Sequence, residues 1–525
     1  MSEVGVTPKT TLLKNLVRER RLTVEEALAK LHRLAESRDE NGFALSERQF
    51  RRWLGGDVTS LSGVRPVNIR VVEAEFGHAI ETLLSLDIRH QTTYNQNEFV
   101  ETPDQGELRT HECFNWVINH SGICYVDAFE IIREEKQRIL SVAPSKRASI
   151  AFERSKIGRA EVASAIADYY GGTDLYQKRV GDSILATSIY TKPSWIGLSI
   201  PLGGEKEKCN SPRFEKELPI RLSAYQTKCA LKRLASIELS ETVLVNNPLY
   251  RLTEINLDSN SIRASFECSD FASYSMTGDL MESELIASIE SENRAFRNNN
   301  CQLRDVWLGN YEAALSFDER ICVGGTAALV AISDGDQYQL LIQERSDRVV
   351  NATGTLAVIP KAFHQPITDP YSEVRISKTL ERELEEELFG RPDLEQLTSE
   401  SKRQAAPLHP LNYSEPMSWL NSHPETWQME CTGFGINMVS GNFEFASLVV
   451  IHDPTWWANY GHLLEANWET LKLRRFSSLD VHGLTNLVND PGWNNEGLFA
   501  FIEGLQRLSQ ISPGKVNLPK LGGSK

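Results

Sequence analysis

The sequence predicts a multidomain chain with an all-α head, an α+β middle region and a third region that opens on a β-hairpin. Three observations carry this. At 525 residues the chain is too long for one hydrophobic core. Apolar residues recur with helical spacing up to about residue 86, and beyond it short alternating strands mix with helices. Between the two lies "HQTTYNQNEFVETPDQGELRTHE", polar and unpatterned, which separates them as a linker. The expected boundaries are a head at 1–86, a linker at 87–112, an α+β domain at 113–315, a third domain at 316–508 and a frayed tail at 509–525.

The head is built from two helical patterns. In "LTVEEALAKLHRLAES", Thr23 stands three residues before Glu26 as a capping box, and Val24, Ala27, Leu28, Leu31, Leu34 and Ala35 form one apolar stripe. "SERQFRRWLGGD" repeats the logic: Ser46 and Gln49 form a second box, and Phe50, Trp53 and Leu54 make the apolar face. At about 100° per residue, Arg48 and Arg52 fall opposite Phe50, with Arg51 and Gln49 on the flanks. A short helix carrying its cations outward suits contact with phosphates and base edges; a solvated basic face on an ordinary bundle suits the pattern as well.

In the middle region, "SILATSIYT" and "RASFECSDFASYSM" read as strands, and "IGRAEVASAIADYYGG" and "ELIASIESENRAFRNN" as helices. In the third, "TAALVAISDGDQYQLLIQERS" reads as two apolar strands joined at "DGD". A helix follows over about 371–389, with Leu380, Leu384 and Leu388 as its buried stripe. Five carboxylates occupy the seven positions from Glu381 to Glu387. Measured from Leu384, Glu387 falls near about −60°, Glu383 near about −100° and Glu386 near about −160°, so these three share one flank. Like charges this close repel unless water or a cation compensates, and Mg²⁺ prefers such oxygen ligands; an exposed acidic face is the plainer alternative.

Composition bounds the function. The net charge of −15 is polarised: residues 1–70 carry 13 Lys and Arg against 9 Asp and Glu, so the acidity lies in the remainder. No apolar run reaches the roughly 20 residues of a membrane helix, and "MSEVGVTPKTTLLKNLV" lacks a signal peptide's apolar core, so a cytoplasmic protein without membrane contact is expected. Eight cysteines without a CxxC pair point to reduced, packing thiols. His111 and His120 flank Cys113 without matching a defined metal pattern, "IADYYGG" ends a helix on packing aromatics, and "DPTWWANYGHLLEANW" suits a core or a ligand groove.

Two stretches resemble known families. "LTVEEALAKLHRL", "LSERQFRRWLGG" and "RPVNIRVVEAEFGHAIETLL" together resemble the helix-turn-helix domain of bacterial, especially actinobacterial, transcriptional regulators of the lambda-repressor-like type, over about residues 10–86. The resemblance implies a double-stranded DNA partner, contacts through Ser46, Arg48, Gln49, Arg51 and Arg52, and a homodimer. The connection between the two central helices is longer than in the compact motif.

The order hairpin, "QERS", "TGTLAVIP", loop and then "RELEEELFG" resembles the Nudix fold, from about 316 into "FGINMVSGNFEFASLVVIHDP". It implies an α/β/α carboxy-terminal domain, with Glu383, Glu386 and Glu387 as Mg²⁺ ligands or water-activating base and Arg382 orienting a glutamate. Arg382, Glu386 and Glu387 would be the catalytic residues of an active enzyme. The chain departs from the family at the glycine-rich turn, which reads "PKAFHQP", at Val374, where a glutamate would stand, and at Phe389, where a glycine would. The expectation is therefore a DNA-binding transcriptional regulator whose degenerate Nudix-like domain senses a nucleotide-like ligand or mediates assembly. The alternative is an active Mg²⁺-dependent hydrolase of nucleoside diphosphate derivatives.

Overall fold

The computed structural model describes residues 11, 13–14, 17, 23–37, 42–55, 64–76, 80–84, 110–141, 157–172, 174–213, 220–239, 246–290, 301–345, 354–367, 369–389, 413–464 and 470–522. Helices and sheets are mixed, and the chain forms two compact units, Met1–Pro103 and Asp104–Lys525. The expected linker at 87–112 lies outside the described residues apart from its last three, which lead into a helix.

The described elements of the first unit are helices: α1 (Val24–Ser37), α2 (Glu47–Gly55), α3 (Pro66–Phe76) and α4 (Ile80–Leu84). The α1 stripe of Ala27, Leu28, Leu31 and Ala35 meets Phe50, Trp53 and Leu54 of α2, and Val67, Val71, Val72 and Phe76 of α3 complete the core. Proline opens α3, where its missing N–H costs no hydrogen bond.

The second unit is organised by a curled, half-barrel sheet of ten strands. Its strands are β1 (Leu175–Val180), β2 (Ser183–Tyr190), β3 (Ile196–Pro201), β7 (Gly324–Asp334), β8 (Gln337–Arg345), β9 (Leu356–Val358), β10 (Lys361–Phe363), β11 (Trp427–Asn437), β12 (Asn442–Ile451) and β13 (Thr470–Ser477). The main path runs β1-β2-β11-β12-β7-β8-β13, with β3 on β11, β9 on β8 and β10 on β7. The β7–β8 hairpin closes at Asp334↔Gln337 as the "DGD" turn predicts, with Gly335 in the left-handed region. Parallel pairing of β12 with β7 brings the backbones so close at Gly324 that a Cβ there would sit 1.9 Å from the Phe443 carbonyl oxygen.

The sheet does not respect the expected boundary between 315 and 316, and that division is corrected here. Strands β2 and β3 pair with β11 through Tyr190↔Ile436 and Ile200↔Cys431, so residues of the expected middle domain complete the later sheet. Ladder pairing joins residues far apart in sequence, which local periodicity does not register. The expected frayed tail is corrected as well: Leu521 bridges Val180, the Gly181 N–H donates to the Lys520 carbonyl, and the Gly522 N–H donates to that of Arg179.

Beside this sheet lies a three-stranded one, β4 (Glu207–Arg213), β5 (Pro248–Asp258) and β6 (Ser261–Asp270), in the order β4-β6-β5. Helices α5 (His111–Ser121), α6 (Tyr125–Ser141), α7 (Arg159–Tyr170) and α8 (Ala224–Glu238) precede or interleave these strands; α5, α6 and α8 pack together. Two later helices flank the large sheet: α9 (Ile376–Glu383), continued to Leu388 by one π turn, and α10 (Asn495–Ile511).

Alternation along the central strands assigns the faces. Ala328, Val330 and Ile332 of β7 and Phe443, Phe445 and Val449 of β12 share a core with Ile376, Leu380 and Leu384 of α9. Ala327, Leu329 and Ala331, with Ala446, Leu448 and Val450, share another with Leu498, Phe499, Ile502 and Leu505 of α10. Helix, sheet and helix form three layers.

Candidate functional site

In the first unit, α2 is fixed from beneath and open above. Ser46 Oγ accepts the Gln49 N–H at 3.2 Å, capping the helix as its sequence predicts. At the other end, buried Thr11 donates to the carbonyls of Trp53 at 3.2 Å and Leu54 at 3.0 Å. The long α1–α2 connection is held by buried Asn68, whose amide donates to Ala44 O at 3.1 Å and accepts from Ala44 N at 2.9 Å. Arg65 adds a bond to Gly42 O at 3.2 Å.

Phe50, Trp53 and Leu54 are buried, whereas Arg48, Arg51 and Arg52 are exposed and Gln49 is half-buried. Glu47, Arg48, Arg51 and Arg52 line one shallow, open depression. Arg51 pairs with Glu47 at 2.7 Å, but both side chains are about half exposed, so the pair holds Arg51 weakly. The arrangement presents three guanidiniums and one amide on a surface whose supporting helix has little freedom to tilt.

The α9 helix differs. Leu380, Leu384 and Leu388 form the buried stripe as predicted, but Glu383, Glu385, Glu386 and Glu387 are buried as well, so the exposed acidic face is corrected. From Leu384 the helix widens into a π turn, and the Phe389 N–H donates to Leu384 O at 3.2 Å. Glu383 and Glu386 share Arg382, whereas Glu385 and Glu387 meet other partners. Arg382 donates to Glu383 Oε1 at 2.7 Å and to Gln365 O at 3.0 Å, and its Nε lies 4.0 Å from Glu386 Oε1. Glu385 accepts from the Ser414 hydroxyl at 2.9 Å, and Glu387 accepts the Lys361 N–H at 3.2 Å.

These contacts do not gather the expected Mg²⁺ ligands Glu383, Glu386 and Glu387 around a common point. Among the described residues, no three His, Cys, Asp or Glu side chains are grouped to hold a metal ion. The donor set thus fits structural anchoring better than it fits Mg²⁺, which demands near-octahedral oxygens.

The "PKAFHQP" segment forms β10 and a packed turn in place of a glycine-rich one. His364 is completely buried between the rings of Tyr250 and Phe266, at centroid distances of 4.4 and 4.9 Å. Its Nε2 bonds the Val374 carbonyl at 3.0 Å and its Nδ1 the Thr379 hydroxyl at 2.7 Å. A carbonyl only accepts, so Nε2 carries the proton, and burial pushes the imidazole down to about 3, leaving it neutral. At the other end of α9, Glu207 accepts the Ser377 N–H at 3.0 Å and occupies the helix amino terminus.

The remaining sequence candidates separate. His120 Nδ1 lies 2.7 Å from the Trp116 carbonyl and stacks on that indole, His111 contacts Asn115, and Cys113 is buried with its thiol pushed up to about 11 by desolvation. Trp456 belongs to the core and donates to Pro416 O at 3.2 Å. Sequence reading missed Asn68, Ser414, Lys361, Glu444 and Glu496. Only Glu444 left a signal, a lone carboxylate within the apolar strand "NFEFASLVVI". The chain matches no protein-family model and no curated protein.

Proposed function

We propose that this protein is a DNA-binding transcriptional regulator that meets duplex DNA through the outer face of α2, using Arg48, Gln49, Arg51 and Arg52, with Ser46 at the helix cap. The observation that carries the reading is the exposed arginine face on a helix capped at Ser46 and closed by Thr11. Guanidiniums there can meet phosphates, and Gln49 and the arginines can reach base edges. The second unit then acts as a degenerate Nudix-like body that senses a nucleotide-like ligand or joins two copies. The helix-sheet-helix layering and the position of α9 support the likeness; the anchoring of Glu383, Glu385 and Glu387 on protein partners supports lost catalysis.

Duplex binding measured by fluorescence anisotropy should weaken steeply as salt rises, and Arg51→Ala and Arg52→Ala should each lower the salt slope by about 1. Binding unchanged in both variants removes α2 from the interface. With Mg²⁺ and a panel of nucleoside diphosphate derivatives, no product should form. Turnover that disappears in Glu386→Gln and Glu387→Gln would install the hydrolase instead.

A further inference from the structure

Beneath the first turn of α10 the structure places a buried carboxylate, a partly buried one and a partly buried ammonium. Glu444 lies on β12 two residues before Ala446, so it faces α10 with Ala446, Leu448 and Val450. Its neighbours across the sheet are Gly435 on β11 and Gly325 on β7, which bring no side chains to cover it. Glu444 is 8 % exposed, and burial together with the charges of Glu496 and Lys361 sets the environment of its carboxyl.

Glu496, in the first turn of α10, receives the Lys361 ammonium from β10 at 3.0 Å and the Asn437 amide from β11 at 3.5 Å. The charged groups facing the site are therefore Glu444 on β12, Glu496 on α10 and Lys361 on β10, with Arg345 on β8 acting on Glu496 at longer range. Lys361 also offers its backbone N–H to Glu387, so a single residue ties β10 to the end of α9 and the start of α10.

One ammonium neutralises one carboxylate at close range. Glu496 holds Lys361 directly and sits at a helix amino terminus, which favours its anion. Glu444 is left in a desolvated place beside a like charge, where its neutral acid is the stable form. We infer that Glu444, Glu496 and Lys361 form a one-proton lock that holds the first turn of α10 to the sheet and releases it progressively as pH rises. This goes beyond the DNA-binding reading and does not depend on it.

Burial, then the Glu496 charge, pushes the Glu444 carboxyl up to about 8, while burial of Glu496 is outweighed by Lys361, which holds it below the usual range. Glu444 is raised in the closed state, so its contribution is fully present below the ordinary glutamate range and is lost as pH rises toward about 8. Opening should grow by at most about tenfold per pH unit between about 5 and about 8, and level off above that.

Hydrogen exchange of peptides spanning 493–500, with intrinsic base catalysis divided out, tests this at pH 6, 7, 8 and 9 on the full chain. Wild type should lose protection up to pH 8 and then plateau, while Glu444→Gln, which mimics the protonated acid, should give a flat profile. A flat wild-type profile, or the same slope in Glu444→Gln, overturns the lock. Should Glu444→Gln fail to fold, the carboxyl ¹³C titration of Glu444 in the wild type decides: a midpoint near 8 upholds it, and one near the ordinary value of about 4.3 overturns it.

Discussion

Helices α2 and α9 carry similar sequence logic and reach opposite ends. Each has an apolar stripe and a dense set of charges in which one sign predominates. In α2 the arginines face solvent; in α9 four glutamates and Arg382 are buried. The difference lies in what surrounds each helix. One side of α2 packs on α1 and α3, whereas α9 meets β7 and β10 and receives Glu207, Ser414, Gln365 and Lys361 around its circumference. A charge pattern on one helix therefore says little about function until the neighbours are known.

Substitutions sharpen the contrast. The largest effect is expected from Arg382→Ala, which leaves Glu383 buried without its cation and should cost about 3–5 kcal/mol of stability in denaturant unfolding. Retention of wild-type stability would mean that the α9 charges are in effect as exposed as those of α2. Glu385→Ala should follow, at about 1–3 kcal/mol, because Ser414 loses the acceptor of its hydroxyl at the start of the helix Glu415–Ser422. An equal loss in Glu385→Gln would show that the acceptor must be charged.

Arg48→Ala and Arg52→Ala stand last, at less than about 0.5 kcal/mol, since exposed side chains away from a cap rarely stabilise a fold. Under the proposed DNA-binding role, their consequence should fall on duplex affinity alone. A marked fall in melting temperature without a change in DNA binding would reverse the assignment and make α2 a structural helix.

Much of the first unit was legible. The stripe of α1, the Ser46 cap and the burial of Phe50, Trp53 and Leu54 depend on contacts within a few residues or on period alone. The link through Asn68 was not, because an asparagine in a helix gives no sign that its amide will satisfy a loop 24 residues earlier. In α9 the leucine stripe was correct and the exposed acidic face was not, because burial of the carboxylates depends on partners far away in the chain.

By itself the sequence determined the local elements: amphipathic helices, the Asp334–Gln337 hairpin and the polarity of charge along the chain. These follow from side-chain period, capping and turn chemistry, which act between near neighbours. Tertiary structure alone decided that strands before residue 201 and after 324 share one sheet, that Glu383, Glu385 and Glu387 are buried against protein partners, and that Glu444 feels the charges of Glu496 and Lys361. Each joins groups far apart in the chain, and burial, which sets the cost of an unpaired charge, exists only once the layers have closed.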